Sequence, residues 1–400
     1  MKGKDENLME KIISLAKRRG FVYQGSEIYG GLAGTWDYGP LGTALKNNIK
    51  NLWWKKFVKE REDMYGIDSA ILMNAKVWEK SGHLKNFTDP IGKEQFNLMF
   101  ETRIGAAKEK SSLAYLRPEN AQGMFTNFKN IIDSFHPKLP FGIAQVGKSF
   151  RNEINARDFL FRTREFELME LEYFVKEEEW EKYFDYWKKQ MREWLVEIGI
   201  DKNNIKEVEV PESGRAHYSK KTVDFEYDFP FDTKELYGLA YRTDYDLRNH
   251  NLSYTDDDTG ETFIPHVIEP TFGLDRTVLA LLSEAYTEDE LGADMRTYLK
   301  LPSNLAPIKV AVFPLLKNKP ELVKKAREIY MAVKKKIPQT MWDDNGNIGK
   351  RYRRQDEIGT PHCITVDFDT LGDGTVTLRN RDSGEQKRIK IEEIVSSVSI

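Results

Sequence analysis

Four arginines, Arg151, Arg157, Arg162 and Arg164, crowd the stretch KSFRNEINARDFLFRTREFELMELEYF (Lys148–Phe174) among carboxylates and phenylalanines. The stretch reads as strand, loop, strand. Guanidinium groups grip phosphate oxygens two at a time, and a neighbouring aromatic ring can stack on a base. That combination points to a nucleoside triphosphate held by side chains, without a Gly-rich loop. Along the second strand alternate residues share a face. One face carries Phe166, Leu168, Glu170 and Glu172. The other carries Glu167, Met169, Leu171, Tyr173 and Val175, and reads as core. Acids on an inner face are costly unless paired or solvated in a cleft. A cleft lined by Glu170 and Glu172, or an exposed edge strand with a ladder of ion pairs, both satisfy that spacing.

The elements that must position these groups come from a chain of 400 residues, enough for two or three domains. Hydrophobic residues make up 40% and charged residues 31%, as in a soluble globular protein. The net charge of −3 means that any nucleic-acid contact must come from a local basic patch. A single cysteine, Cys363, excludes an intramolecular disulfide framework and a Cys-based zinc site, and fits a reducing compartment. No apolar run reaches membrane-spanning length, and the charged N-terminus lacks a signal-peptide core. The expectation is a cytoplasmic protein with no membrane association.

Periodicity predicts helices over 8–18, 42–58, 121–134, 176–198 and 319–335, and strands through much of 96–175, over 222–247 and at 308–314. Leu45, Ile49, Leu52, Trp53 and Phe57 recur at helical spacing after Pro40 and Gly42. Residues 251–262 read as a hairpin loop, and Asp256, Asp257 and Asp258 as a solvated turn rather than a calcium loop. The Pro-rich stretch LPSNLAPIK (Leu301–Lys309) marks a boundary, after which strand and helix alternate in a small α/β domain. The expected division is 1–300 and 301–400.

With these residues in view, FRNE (Phe150–Glu153) and FRTREFE (Phe161–Glu167) resemble motif 2 of class II aminoacyl-tRNA synthetases. GLDRTVLALL (Gly273–Leu282) resembles motif 3, and Gly34–Trp54 the motif 1 region. GSEIYGGLAGTWDYGPLG, YLRPENAQGMFTNFKN, VIEPTFGLDR and IGKRYRRQDEIGTPHCIT resemble the dimeric type of glycyl-tRNA synthetase, from about Ile12 to the C-terminus. The resemblance implies an α+β fold: a class II antiparallel sheet flanked by helices, plus a C-terminal α/β anticodon-binding domain. It also implies a homodimer through the motif 1 helix. The implied reaction uses ATP and Mg²⁺ to join glycine to tRNA(Gly) through glycyl-adenylate. Such a displacement at phosphorus needs charge neutralisation and positioning rather than a covalent nucleophile.

Residue by residue, the resemblance implies Arg151 on the α-phosphate, Glu153 on the adenine amino group and Arg162 near the β- and γ-phosphates. Phe166 would stack on adenine, and Arg276 would cover its other face and reach the γ-phosphate. Arg151 and Arg276 are thus the expected catalytic residues. Asn152, Phe161, Arg164, Leu236, Gly273 and Asp275 complete the implied ATP site, with Glu235 (KELYG) touching ATP or its magnesium. Glu119, Glu170 and Glu269 would form an acidic pocket for the glycine ammonium, Arg242 would meet its carboxylate, and Thr271 and Gly273 would border the pocket. Lys350, Arg351, Arg353 and Arg354, interleaved with Tyr352, would touch tRNA. His83 and His217 read as packing or surface histidines.

The chain departs from the family pattern in places. Only IGKEQ (Ile91–Gln95) stands where bacterial relatives commonly carry a long insert with C-x-x-C pairs, so no zinc is expected. Asn120, Thr271, Phe272, Tyr237 and Tyr241 also differ. Two other readings stay open on the sequence: a non-catalytic paralogue that binds nucleic acid, and a synthetase for another small amino acid. The retained Arg151, Glu153, Arg162 and Arg276 weigh against the first, and the acidic pocket against the second.

Overall fold

The structure, a computed structural model, describes residues 6–86, 98–105, 112–291 and 294–398. The short IGKEQ connection lies outside the described residues. Two compact units emerge: Gln24–Trp36 with Lys50–Ala280, and Met1–Tyr23 with Asp37–Ile49 and Leu281–Ile400. This division does not coincide with the break expected at 300/301.

The first unit is built on a seven-stranded sheet: β1 (Met64–Gly66), β2 (Phe141–Phe150), β3 (Glu165–Val175), β4 (Ile205–Glu209), β5 (Lys221–Asp228), β6 (Thr233–Thr243) and β7 (His266–Gly273). The order is β1-β2-β3-β7-β6-β5-β4. Only the β1–β2 pair is parallel. β3 lies between β2 and β7, so the edge-strand reading of Glu165–Val175 is ruled out.

Period-2 alternation gives the sheet two unlike faces. One presents Met169, Leu171, Tyr173, Tyr237, Tyr241 and Phe272, all buried. Against it pack the end of helix α1 (Pro40–Trp54), with the π-helical turn Lys55–Lys59 that continues it, and a long helix running Trp180–Glu197. Trp53 meets Phe272 at 5.8 Å, and Phe57 meets Phe272 at 5.3 Å and Trp194 at 5.7 Å. Edge-to-face and tilted rings at such separations add roughly 0.5–1.5 kcal/mol per pair beyond burial. Tyr237 donates to or accepts from Thr277 at 2.9 Å, and Tyr241 stacks flat on Trp180 at 4.2 Å. Phe272, Tyr237 and Tyr241 therefore sit on the packing face.

The opposite face carries an apolar cluster at one end and chemistry at the other. Helix α2 (Ala121–Phe135) lays Met124, Phe125 and Phe128 over Phe141, Ile143, Phe174 and Val267. The Trp180–Glu197 helix is α3, and α4 (Leu274–Ala285) follows directly from β7. The acids of Asp256–Asp258 cap their own turn: Asp256 Oδ1 accepts from the N–H groups of Asp258 and Thr259, both at 3.0 Å.

The second unit holds β8 (Val310–Pro314), α5 (Pro320–Lys336), β9 (Thr340–Trp342), α6 (Ile348–Glu357), β10 (His362–Val366), β11 (Thr375–Asn380) and β12 (Gln386–Lys390). Its sheet order is β9-β8-β10-β11-β12, parallel across β9, β8 and β10 and antiparallel beyond. β8 and β10 are buried along their whole length, as parallel strands covered on both faces must be. Among the described residues no helix is long and apolar enough to cross a membrane.

Candidate active site

Sheet register lays out the floor of a cleft of about 530 Å³ in the first unit. Residues directly opposite one another across a ladder share a face. Gln145, Glu170, Thr271, Gly238 and Asp224 form one such row. Glu269, Ala240 and Thr222 form the next. The middle strands thus present small residues, while the acids stand to either side.

At one end of the cleft gather the arginines. β2 and β3 are joined by a loop that folds back on itself, with Arg157 and Arg162 exchanging backbone hydrogen bonds of 3.1 and 3.2 Å. Arg162 donates through Nε and Nη2, each 2.7 Å from Glu153 Oε2. Glu153 is thus already taken by Arg162. Arg151 donates to the Pro118 carbonyl at 3.2 Å and lies 5.4 Å from the centre of the Phe166 ring. From the start of α4, Arg276 reaches over the Phe161 ring at 4.4 Å and bonds Glu235 Oε2 at 3.0 Å. That guanidinium holds the Glu235 carboxyl below its usual range. Asp275 lines the cleft, but its Oδ2 accepts the Glu167 N–H at 2.6 Å and so clamps α4 to β3. Leu236 and Gly273 also line it.

Asp224 was not singled out from the sequence. A Cβ on Gly238 would stand 3.7 Å from Glu235 Oε1 and 4.0 Å from Asp224 Oδ1, so the two acids flank one glycine. Burial and the neighbouring Glu235 push the Asp224 carboxyl up to about 7. Only the β5–β6 register exposes this pairing; nothing in the sequence around Asp224 signals it.

The other end is acidic and buried. Glu119 is held between His83 Nε2 at 3.2 Å, Gln122 Nε2 at 3.2 Å and Arg242 at 3.6 Å. Burial alone would raise its carboxyl; His83 and Arg242 outweigh that and hold it well below the usual range. Glu170 Oε2 accepts the Asn120 N–H at 2.8 Å, and burial beside Glu119 pushes it up to about 7. Glu269 accepts from Arg242 at 2.8 Å, yet burial lifts it to about 8. Thr271 Oγ1 stands 3.4 Å from Glu170. Glu172 is opposite Glu269 by register, wholly buried, with no hydrogen-bond partner for either oxygen among the described residues. Burial and Glu269 keep it well above the usual range, as a neutral acid.

Three residues expected at the site are not brought to the cleft wall. Asn152 donates its N–H to Leu98. Arg164 is tied to the Ala33 and Glu153 carbonyls at 2.5 and 3.1 Å, and its N–H to the carbonyl of Gly34, a residue at φ +74°. Arg242 is fully buried: Asp246 accepts from its Nε and Nη2 at 2.7 and 3.0 Å, and Glu269 from Nη1. A guanidinium this deep needs carboxylate partners, and Asp246, which the sequence did not suggest, supplies two oxygens.

In the second unit, Lys350, Arg353 and Arg354 line a separate depression with Arg19 and Arg379. Arg351 does not join them. It is 1% exposed, and its guanidinium meets the carbonyls of Pro314, Asp344 and Gly346. The helical period explains this: positions 351 and 355 of α6 face inward, and both are buried.

Comparison with known proteins places this geometry in a class. The tRNA synthetase class II core domain (G, H, P, S and T) matches residues 100–285, and the anticodon binding domain matches 309–399. The chain is 48% identical to the glycine–tRNA ligase of Clostridium acetobutylicum over 98% of each chain. It is 47% identical to that of Caldanaerobacter subterraneus subsp. tengcongensis, and 45% to that of Thermobifida fusca, each over 96% of both chains. The chain belongs to the glycine–tRNA ligase family. These alignments run over 446 to 456 positions against a chain of 400, so the relatives carry residues it lacks.

Proposed function

We propose that this protein attaches glycine to tRNA(Gly) at the expense of ATP. A carboxylate oxygen of glycine attacks the α-phosphorus, and the bond to the bridging oxygen of pyrophosphate breaks. The 3′-terminal hydroxyl of tRNA then attacks the acyl carbon and AMP leaves. The observation that carries this reading is one cleft with two unlike ends. Guanidinium groups from separate segments, Arg151 before β3 and Arg276 on α4, share it with the buried acids Glu119, Glu170 and Glu269.

Arg151 stabilises charge at the α-phosphorus and Arg276 that on the outer phosphates. Phe166 and Arg276 enclose the base, and Arg162 swings from Glu153 to phosphate when the adenine amino group arrives. Lining the cleft at both sides, these residues supply position and charge, the two things phosphoryl chemistry needs. Glu235 and Asp224, which flank Gly238, would hold Mg²⁺, and its charge would neutralise phosphate oxygens. A single cysteine leaves no thiolate set for zinc.

Glycine offers an ammonium and no side chain. Glu119, Glu170 and Glu269 recognise the ammonium, and the Thr271 hydroxyl borders it. Arg242 acts through Glu119 and Glu269, which it holds in place. Residues 1–300 carry the chemistry and 301–400 bind the anticodon region. Lys350, Arg353 and Arg354 contact tRNA phosphates there. The protein works as a cytoplasmic homodimer joined through the motif 1 helix.

The test is glycine-dependent exchange of pyrophosphate into ATP, beside alanine, serine and threonine. Exchange led by glycine is expected. Exchange with none of the four would favour a binding-only paralogue, and exchange led by another would overturn the pocket assignment.

A further inference from the structure

We infer that Tyr218 is the residue that sets the size limit of the amino-acid pocket, an inference that rests on the glycine reading above. Tyr218 comes from the loop between β4 and β5 and lines the cleft. Its ring lies 3.6 Å from the Arg242 guanidinium carbon. Arg242 is wholly buried and absent from the cleft wall, while Tyr218 is on it, so the ring is the cover that separates this arginine from the substrate space.

A steric wall discriminates only if it cannot yield. This one is pinned from behind. Asp246 holds Arg242 through two hydrogen bonds and Glu269 through a third, so the platform under the ring is fixed. Sideways, the ring meets His217 at 5.1 Å, and His217 Nε2 is 3.0 Å from the Ser81 carbonyl. His83, whose Nε2 stands 3.2 Å from Glu119 Oε2, stacks on it at 6.5 Å. The two histidines read from the sequence as packing residues therefore converge on one job, bracing the wall and the acid beside it.

The floor supports the same conclusion. Across the sheet the cleft is faced by Thr271, Gly238 and Ala240 on adjacent strands, all small. A floor of small residues does not itself reject an extra methyl. At the end where Glu119 and Glu269 stand, the bulky group is the ring opposite. Removing it opens room for a side chain and exposes Arg242 to the cleft.

Pyrophosphate exchange tests this with glycine, alanine and serine on the full chain, Tyr218→Phe and Tyr218→Ala. Rejecting one methyl is worth roughly 10- to 200-fold in kcat/KM. Tyr218→Phe should keep glycine activity and its preference over alanine. In Tyr218→Ala that preference should fall at least tenfold, through a rise in alanine kcat/KM. Tyr218→Ala that retains the full preference overturns the inference. So does a folded Tyr218→Ala inactive with all three, because a wall that only excludes a methyl is not needed for glycine. If the unaltered chain exchanges with alanine as readily as with glycine, or not at all, it is the glycine reading that fails.

Discussion

The two ends of the cleft solve opposite electrostatic problems. At the arginine-rich end two guanidinium groups are paired with carboxylates at or near the surface: Arg162 with Glu153, Arg276 with Glu235. Such pairs are worth little to stability and exchange partners readily when a polyanion arrives. At the acidic end Glu119, Glu170, Glu172, Glu269 and Asp246 crowd around Arg242, all buried. Acid exceeds base there, and the imbalance is met by holding protons: Glu170 rises to about 7 and Glu269 to about 8, and burial beside Glu269 keeps Glu172 well above its ordinary value. One end carries loosely paired cations. The other carries carboxyls that have not all ionised.

Arg151→Gln probes the first end most severely. Losing one guanidinium aimed at developing charge should cost roughly 100- to 1,000-fold in exchange rate, with the melting curve unchanged. Near-normal exchange would contradict the phosphate role. Arg242→Met is the matching lesion at the other end, and it should act on folding. It strands Asp246 and Glu269, so urea titration should show a loss of about 3–5 kcal/mol. A variant as stable as the parent would mean that the acids are already neutral without it.

Protons give a finer comparison. The native protein holds protons on Glu170 and Glu269 that the unfolded chain has released above a carboxyl value of 4.5. Ligand-free stability should therefore fall as pH rises from there through about 8. Glycine's ammonium favours the ionised carboxylates, so binding should expel protons and affinity should climb roughly tenfold from pH 6 to 8. Calorimetry in two buffers of different ionisation enthalpy reads this directly; proton uptake would reverse the assignment. Glu172→Gln, replacing a neutral acid by a neutral amide, should leave stability near pH 5 almost unchanged and gain on the parent as pH rises. The smallest effect belongs to the second unit. Lys350→Ala should raise the KM for tRNA a few-fold at moderate salt and leave tRNA-independent exchange alone, whereas Arg351→Ala should lower the melting temperature instead.

How much of this was legible in the sequence varies by residue. The helix at 121–134 appears as Ala121–Phe135 and that at 319–335 as Pro320–Lys336, because apolar periodicity is a local property. Motif blocks brought Arg151, Glu153, Phe166, Glu235 and Arg276 to one cleft across long stretches of chain. Arg242 looked like a ligand for carboxylate, and it is one, but the carboxylates are the protein's own. Arg351 looked like its basic neighbours until the helical period turned it inward. Asp224, Asp246 and Tyr218 gave no signal, since each acts through a neighbour distant in sequence; Glu172 was read beside Glu170 on one strand face, but its complete burial without a hydrogen-bond partner among the described residues was not.

The sequence by itself determined the elements, the reaction class and the residue types at each end, because spacing and side-chain chemistry are written along the chain. Tertiary structure decided which charges face substrate and which face each other. That choice depends on strand register and burial, and a carboxyl's proton or an arginine's freedom exists only once the neighbours across the sheet are in place.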